Sequence, residues 1–163
     1  MRRSRSDLGA LADAAARRSP DDARMGTIVV GVDGSAEGDR ALRFALAEAR
    51  LRGSEVRAVH AWAMPYYEYP IPLDDVSSGA RALLDDAVDR VVAGEAEAVP
   101  TIARVTSQGQ SAAVLIDESR HADLLVVGSR GHGELASLLL GSTSMQCAHH
   151  ARCPVAIVRP ARP

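Results

Sequence analysis

Three glycines and a serine near the C-terminal end of the sequence have a spacing that suits phosphate binding. Two residues separate Gly128 from Gly131, and Gly141 follows ten positions after Gly131, directly before Ser142. Glycines let a backbone approach a ligand closely, so that successive N–H groups can turn toward one anion. A helix that begins at Gly141 would add unpaired N–H groups, a positive dipole end and the hydroxyls of Ser142, Thr143 and Ser144.

A second group of special residues follows the first apolar run of the sequence. Gly31, Asp33 and Ser35 come at the end of residues 27–32, and Ser35 is placed to cap the helix that follows. An alternative interpretation is that the glycines of both groups form ordinary turns between strands and helices, that Asp33 is a turn residue and that Ser142 is a plain N-cap.

Other polar and aromatic residues are weaker candidates. Arg130 could pair with phosphate charge or face solvent, and His132 is a lesser candidate of the same kind. His60 is expected to be a hydrogen-bonded residue at the end of a strand rather than a catalytic base. Four aromatic residues crowd into one segment, which is either a packed surface loop or a cover for a ligand: Trp62, Tyr66, Tyr67 and Tyr69.

The two cysteines of the sequence, Cys147 and Cys153, flank two histidines at a spacing that fits no standard zinc or redox pattern. We therefore predict two reduced, packed thiols and no metal, with a metal site at this segment as the alternative interpretation.

Short apolar runs alternate with helical patterns from Met25 onward, which is typical of βαβ units and a parallel sheet. The predicted strands cover 27–32, 55–61, 101–106, 123–128 and 154–159. The predicted helices run from Ser35 to Gly53, over 78–94, from a cap at Ser111 to about Arg120, and from Gly141 and Ser142 onward. Residues 64–72 hold three prolines and are predicted to form a long loop. Such sheets bind ligands beyond the carboxyl ends of their strands, where the strand order reverses.

Composition excludes several classes of function. The chain has 163 residues, 47% of them apolar, and a formal net charge of −2, which gives no basic surface for nucleic acid. No apolar run approaches the ~20 residues that a membrane helix needs, so we expect a cytoplasmic protein. Residues 1–24 carry few large apolar side chains and are predicted to be a disordered or non-native extension, with the domain covering 25–163.

The sequence resembles the universal stress proteins. Gly128, Gly131, Gly141 and Ser142 satisfy the pattern Gly-x2-Gly-x9-Gly-Ser, which resembles the ATP-binding motif of that family's nucleotide-binding branch. Residues 28–35, 122–131 and 153–158 resemble its other signature segments.

The resemblance implies an α/β fold: an open five-stranded parallel sheet in the order 3-2-1-4-5 with helices on both faces, which is adenine nucleotide alpha hydrolase-like. It implies an adenine nucleotide, ATP with AMP or cyclic AMP as alternatives, and Mg²⁺ as an accompaniment of ATP. The residues at which it implies contact with the nucleotide are Gly31, Asp33, Ala61, Val127, Gly128, Arg130, Gly131, Gly141, Ser142, Thr143 and Ser144.

Three functions agree with this resemblance. The first is a nucleotide-dependent stress-response regulator with slow or no hydrolysis, since no general base, acidic pair or Walker lysine stands near the glycines. The second is a weak ATPase or adenylating enzyme, and the third is a ligand-free interaction protein. For all three, family members imply a homodimer through the last strand, with Val155, Ala156, Ile157 and Val158 at its interface.

Overall fold

A computed structural model of the protein describes residues 26–64, 72–131 and 140–160. Strands and helices alternate along these residues, as the apolar pattern predicts. The strands are β1 (Thr27–Gly31), β2 (Glu55–Trp62), β3 (Ile102–Gln108), β4 (Leu124–Gly128) and β5 (Val155–Val158). The helices are α1 (Ala36–Arg52), α2 (Leu73–Ala93), α3 (Ser111–Glu118) and α4 (Ser142–His150).

The five strands form one sheet in the order β3-β2-β1-β4-β5, and every neighbouring pair is parallel. The predicted fold is therefore confirmed. The order reverses beside β1, which pairs with β2 on one side and with β4 on the other. The carboxyl ends of β1 and β4 thus lie next to each other at the switch point of the sheet.

Helices cover both faces of the sheet. One apolar core joins β1, β2 and β4 to α1 and α2, and the fully buried Leu42, Leu46 and Leu84 belong to it. A second, smaller core lies on the opposite face, where Leu115 of α3 and Cys147 of α4 pack against β2, β4 and β5. Burial on both faces explains why β1 and β4 are apolar at every central position.

Helix α1 has the ends that its sequence predicts. Ser35 is the N-cap, and its hydroxyl oxygen accepts a hydrogen bond from the Gly38 N–H at 3.0 Å. Gly53 ends the helix in the left-handed conformation with φ 64°, which glycine adopts without the steric penalty of a Cβ atom.

Two helix starts differ from the sequence prediction. Helix α2 begins at Leu73, not near residue 78, and its first turn carries Asp74 and Asp75, which complement the helix dipole. Ser77 and Ser78 thus lie inside the helix and donate their hydroxyls to the carbonyls of Asp74 and Asp75. Helix α3 begins at Ser111 itself, with Gln110 in the cap position and no side-chain hydrogen bond there, so the prediction of Ser111 as the cap was wrong.

Other predictions fall partly or wholly outside the described residues. The extension 1–24 does so entirely, and so does most of the predicted loop, since 65–71 are not among the described residues. In the part of the chain that the structure describes, no helix is both long enough and apolar enough to span a membrane.

Candidate functional site

A cavity of about 440 Å³ opens at the carboxyl ends of β1 and β4. It lies at the switch point of the sheet, where ligands of such folds bind. All eleven residues proposed from the sequence line this one cavity: Gly31, Asp33, Ala61, Val127, Gly128, Arg130, Gly131, Gly141, Ser142, Thr143 and Ser144. The fold therefore brings together residues that are up to 113 positions apart in the sequence, from position 31 to position 144.

Asp33 lies in the turn between β1 and α1, and neighbouring groups hold its carboxylate. Its Oδ1 atom accepts hydrogen bonds from the Ser35 N–H at 3.0 Å and from the Ser35 hydroxyl at 2.6 Å. Because the same Ser35 hydroxyl oxygen also accepts from Gly38, the carboxylate is connected to the first turn of α1. Asp33 is thus both a capping residue of the turn and part of the cavity wall.

Two glycines pack directly against the carboxylate of Asp33. A Cβ atom on Gly131 would lie 2.5 Å from Asp33 Oδ2, and one on Gly38 would lie 2.6 Å from Asp33 Oδ1. Real Cβ atoms do not approach oxygen so closely, so a side chain at either position would displace the carboxylate. The glycine spacing predicts contact with phosphates at Gly131, and in the structure this glycine also packs against Asp33.

Gly128, at the end of β4, has a different neighbour. A Cβ atom there would lie 3.1 Å from Glu37 Cβ and 3.0 Å from the carbonyl oxygen of Arg130. The absence of a side chain at Gly128 therefore lets the first turn of α1 pack closely against the end of β4.

Hydrogen bonds connect the end of β4 to the start of α4. The Gly141 N–H donates to the Ser129 carbonyl at 2.7 Å. The Ser144 hydroxyl lies 3.1 Å from that same carbonyl and 2.9 Å from the Gly141 carbonyl, and Ser144 is only 2% exposed. Since a hydroxyl has one hydrogen to donate, the Ser144 side chain is already engaged. The expected donation of this hydroxyl to a phosphate differs from the role that it has here.

The N-terminus of α4 faces the cavity. Gly141 is its N-cap and has no side chain with which to cap it, and Ser142 is the first helical residue, not the cap. In any α-helix the first N–H groups have no acceptor within the helix. The N–H groups of Ser142 and Thr143, with the positive end of the helix dipole, form a site that favours an anion.

His60, near the end of β2, also lines the cavity. Its Nδ1 atom is 2.8 Å from the carbonyl oxygen of Val32. Because a carbonyl oxygen only accepts, the hydrogen is on Nδ1, and His60 is the hydrogen-bonded residue that its position at a strand end predicts.

Sequence reasoning missed several residues of the cavity wall. Gly38, Ser111 and Leu115 line it together with the residues that were proposed. Gly38 had a detectable signal, since a glycine in the first turn of a helix is unfavourable by roughly 1 kcal/mol relative to alanine unless close packing requires it. Ser111 and Leu115 fit the ordinary helical pattern of α3, so nothing in the sequence indicated that they line the cavity.

The remaining candidates lie elsewhere. Trp62 is half-buried at the end of β2 and is not among the residues that line the cavity. His132, Tyr66, Tyr67 and Tyr69 lie outside the described residues. Over 26–64, 72–131 and 140–160, no group of three or more His, Cys, Asp or Glu residues is arranged to hold a metal ion.

The two cysteines lie away from the cavity, in the core beneath α4. Cys147 is fully buried and Cys153 partly so, and no disulfide joins them. Burial, with a smaller contribution from the nearby Cys153 thiol, raises the pKa of Cys147 to about 11. Cys147 is therefore a packed, protonated thiol at neutral pH.

This sheet order, with a ligand-sized cavity at the carboxyl ends of β1 and β4, defines an adenine nucleotide alpha hydrolase-like fold. The profile of the Universal stress protein family matches residues 25–159. The chain belongs to the universal stress protein family.

Relatives of known sequence agree with this assignment. A universal stress protein of Mycolicibacterium smegmatis is 37% identical over 140 residues, which cover 80% of this chain and 47% of the relative. The chain spans about half the length of the curated relatives it matches.

Two solved structures share the fold and were determined with nucleotides. A universal stress protein in complex with cAMP has a TM-score of 0.64 and 28% identity, covering 83% of this chain and 98% of that one. A universal stress protein from Archaeoglobus fulgidus in complex with dAMP has a TM-score of 0.59 and 25% identity, covering 82% of this chain and 97% of that one.

Proposed function

We propose that this protein binds an adenine nucleotide, ATP in the first instance, in the cavity at the carboxyl ends of β1 and β4. One observation carries the proposal: the eleven residues selected from the sequence all line that single cavity. The complexes of related proteins with cAMP and dAMP support the adenine class of ligand.

The phosphates would lie at the N-terminus of α4. The N–H groups of Ser142 and Thr143 supply donors there, and the hydroxyls of these two residues add to them. Arg130 lines the same cavity and brings a positive charge. Ser144 would act indirectly, because its buried hydroxyl holds the turn at Gly141 in place.

The nucleoside would lie between the ends of β1, β2 and β4. Asp33 would accept hydrogen bonds from the ribose hydroxyls, while the backbone of Ala61 would meet the adenine. Val127 and Gly128 would flank the base and ribose, and Gly31 lines the same cavity, where a Cβ atom would lie 2.9 Å from Leu115 Cδ1. If Mg²⁺ accompanies ATP, the phosphates and water would be its principal ligands, since the described residues form no metal cluster.

We further propose that the protein is a stress-response regulator controlled by nucleotide binding and that its hydrolysis of ATP is slow or absent. The sequence contains no lysine, so the phosphate-binding lysine of a Walker loop is missing throughout this chain. Among the described residues lining the cavity, Asp33 is the single carboxylate, and it is already bonded to Ser35. These features support slow or absent hydrolysis, and we propose a cytoplasmic regulator whose conformation or complexes respond to nucleotide.

Equilibrium dialysis with labelled ATP tests the proposal. We expect saturable binding to the wild-type protein and weaker binding to Gly131→Ala, while the matched Gly79→Ala variant should bind like wild type, since a Cβ atom at Gly79 meets nothing within 4 Å. Absence of binding at millimolar ATP would reject the proposal in favour of a ligand-free interaction protein. Sustained ADP or AMP release well above that of a Gly131/Gly141 double variant would instead favour an enzyme.

A homodimer through β5 is a separate proposal. β5 is an edge strand of the sheet, and Val155, Ala156, Ile157 and Val158 are all partly exposed. An exposed apolar edge favours pairing with a second copy around a two-fold axis. Light scattering at micromolar concentration should give the mass of a dimer for wild type and of a monomer when Ile157 is replaced by Lys. A wild-type monomer would reject this arrangement.

A further inference from the structure

The hydrogen bond of His60 interrupts the ladder between β1 and β2 at the cavity. In this parallel ladder, the Val32 N–H donates to the Val59 carbonyl at 2.9 Å. The register pairs Gly31 with Val59, so the next rung would join the Ala61 N–H to the Val32 carbonyl. That carbonyl instead accepts from His60 Nδ1 at 2.8 Å, and the hydrogen bonds of the described residues include none from the Ala61 N–H to it.

The interruption leaves a polar backbone edge at Ala61. In a parallel strand, alternate residues bond to opposite neighbours through both of their backbone groups. The Trp62 carbonyl accepts from the Gly109 N–H at 2.8 Å, so Trp62 bonds on the β3 side. Both backbone groups of the preceding residue, Ala61, therefore face β1. β1 has already ended at Gly31, and the chain turns away at Gly34, where φ is 82°. The N–H and C=O of Ala61 therefore open toward the cavity that Ala61 lines.

This edge presents one donor and one acceptor side by side. Adenine has a complementary pair on its Watson–Crick edge, because N1 accepts and the N6 amino group donates. Guanine has the reverse pair, since its N1–H donates and O6 accepts. A buried donor opposite N1–H and a buried acceptor opposite O6 would both be left unsatisfied, which disfavours guanine.

We infer that His60 is a positioning residue for base recognition: by bonding the Val32 carbonyl, it keeps the Ala61 N–H out of the ladder, so that this N–H, beside the Ala61 C=O, can select adenine over guanine. The selection of a base rests on the proposed nucleotide site. The hydrogen bond from His60 to the Val32 carbonyl does not depend on that site, so the two parts are tested by different measurements.

The first measurement is amide hydrogen exchange at Ala61 by NMR in the nucleotide-free protein. The Ala61 amide should exchange rapidly in wild type and become protected in His60→Leu, where the Val32 carbonyl can take up the ladder bond. His60→Asn, which keeps a donor at the δ position, should restore rapid exchange. Equal exchange at Ala61 in wild type and His60→Leu would overturn the inference.

The second measurement is the ratio of ATP to GTP affinity for the same variants. Wild type and His60→Asn should prefer ATP by about tenfold or more, and in His60→Leu the ratio should fall toward one. The matched control is His121→Leu, an exposed histidine in the turn before β4, which should keep the wild-type ratio. A wild-type ratio in His60→Leu would overturn the role of His60 in selection.

Failure of the proposed function gives a different result. If wild type binds neither ATP nor GTP, the nucleotide site and the base selection are both rejected. The exchange measurement then still decides whether His60 keeps the Ala61 amide out of the ladder.

Discussion

Gly131 lies against the carboxylate of Asp33, so closely that a Cβ atom on the glycine would be 2.5 Å from Oδ2. The two residues are 98 positions apart, from position 33 to position 131, and they meet because β1 and β4 are neighbours in the sheet. Gly38 contacts the other oxygen of the same carboxylate. The position of Asp33 in the cavity therefore depends on residues of two separate segments.

This contact predicts the effect of a single methyl group at Gly131. In Gly131→Ala the carboxylate must move, and we expect ATP affinity to fall on the order of tenfold, which corresponds to ~1.4 kcal/mol. Isothermal titration calorimetry measures the change. Gly79→Ala adds the same methyl group within α2 with no contact within 4 Å, and it should keep the affinity while stabilising the helix by up to about 1 kcal/mol. Equal affinities for the two variants would show that the Gly131 contact is irrelevant to binding.

Asp33 should have separable roles in capping and in binding. Asp33→Asn keeps an acceptor for the Ser35 N–H and hydroxyl, so its free energy of unfolding should change little, whereas Asp33→Ala should lose roughly 1 kcal/mol. Both variants should bind nucleotide more weakly, because the carboxylate is gone. Chemical denaturation and ATP titration measure the two effects. Wild-type affinity in Asp33→Asn would remove the carboxylate from the nucleotide site.

Replacement by alanine should affect different properties at the two serines: ATP binding at Ser142 and stability at Ser144. Ser144→Ala removes a buried hydroxyl that donates to a carbonyl at the start of α4, and it should destabilise the fold by about 1 kcal/mol. Ser142→Ala removes an exposed hydroxyl at the start of α4, and it should weaken ATP binding with little change in stability. Thermal unfolding with and without ATP distinguishes the two. A stable Ser144→Ala protein that fails to bind ATP would return Ser144 to the direct phosphate contacts.

The raised pKa of Cys147 predicts a loss of stability at alkaline pH. Burial favours the neutral thiol, so the pKa rises from 9.0 to about 11 in the folded state. The unfolded chain loses this proton first, so the stabilisation is complete below pH 9 and is lost as the pH rises toward 11, with a total of roughly 2 to 3 kcal/mol. In urea unfolding experiments from pH 8 to 11, the free energy of unfolding should fall more steeply with pH for wild type than for Cys147→Ala. Parallel curves would contradict the assigned shift.

Much of the fold could be predicted from local pattern. Apolar residues on both faces of β1 and β4 predicted buried parallel strands, and Ser35 with Gly53 predicted both ends of α1. Prediction failed where a residue type has two uses. Ser111 was predicted to cap α3, yet it is the first residue of that helix and Gln110 occupies the cap position. Local sequence does not decide between these uses, because a serine hydroxyl can bond neighbouring backbone groups in several local patterns.

The sequence by itself predicted which residues line the cavity, since its glycines and hydroxyl-rich helix start suit the close approach of an anion and Asp33 follows the first strand at the switch point of the sheet. The tertiary structure alone decided what each of them touches. It brought Gly131 onto Asp33, directed the Ser144 hydroxyl to Ser129 and Gly141, and gave the Val32 carbonyl to His60. The reason is that these contacts join segments whose distance is set by sheet order and helix packing, and neither is encoded at the positions that make the contact.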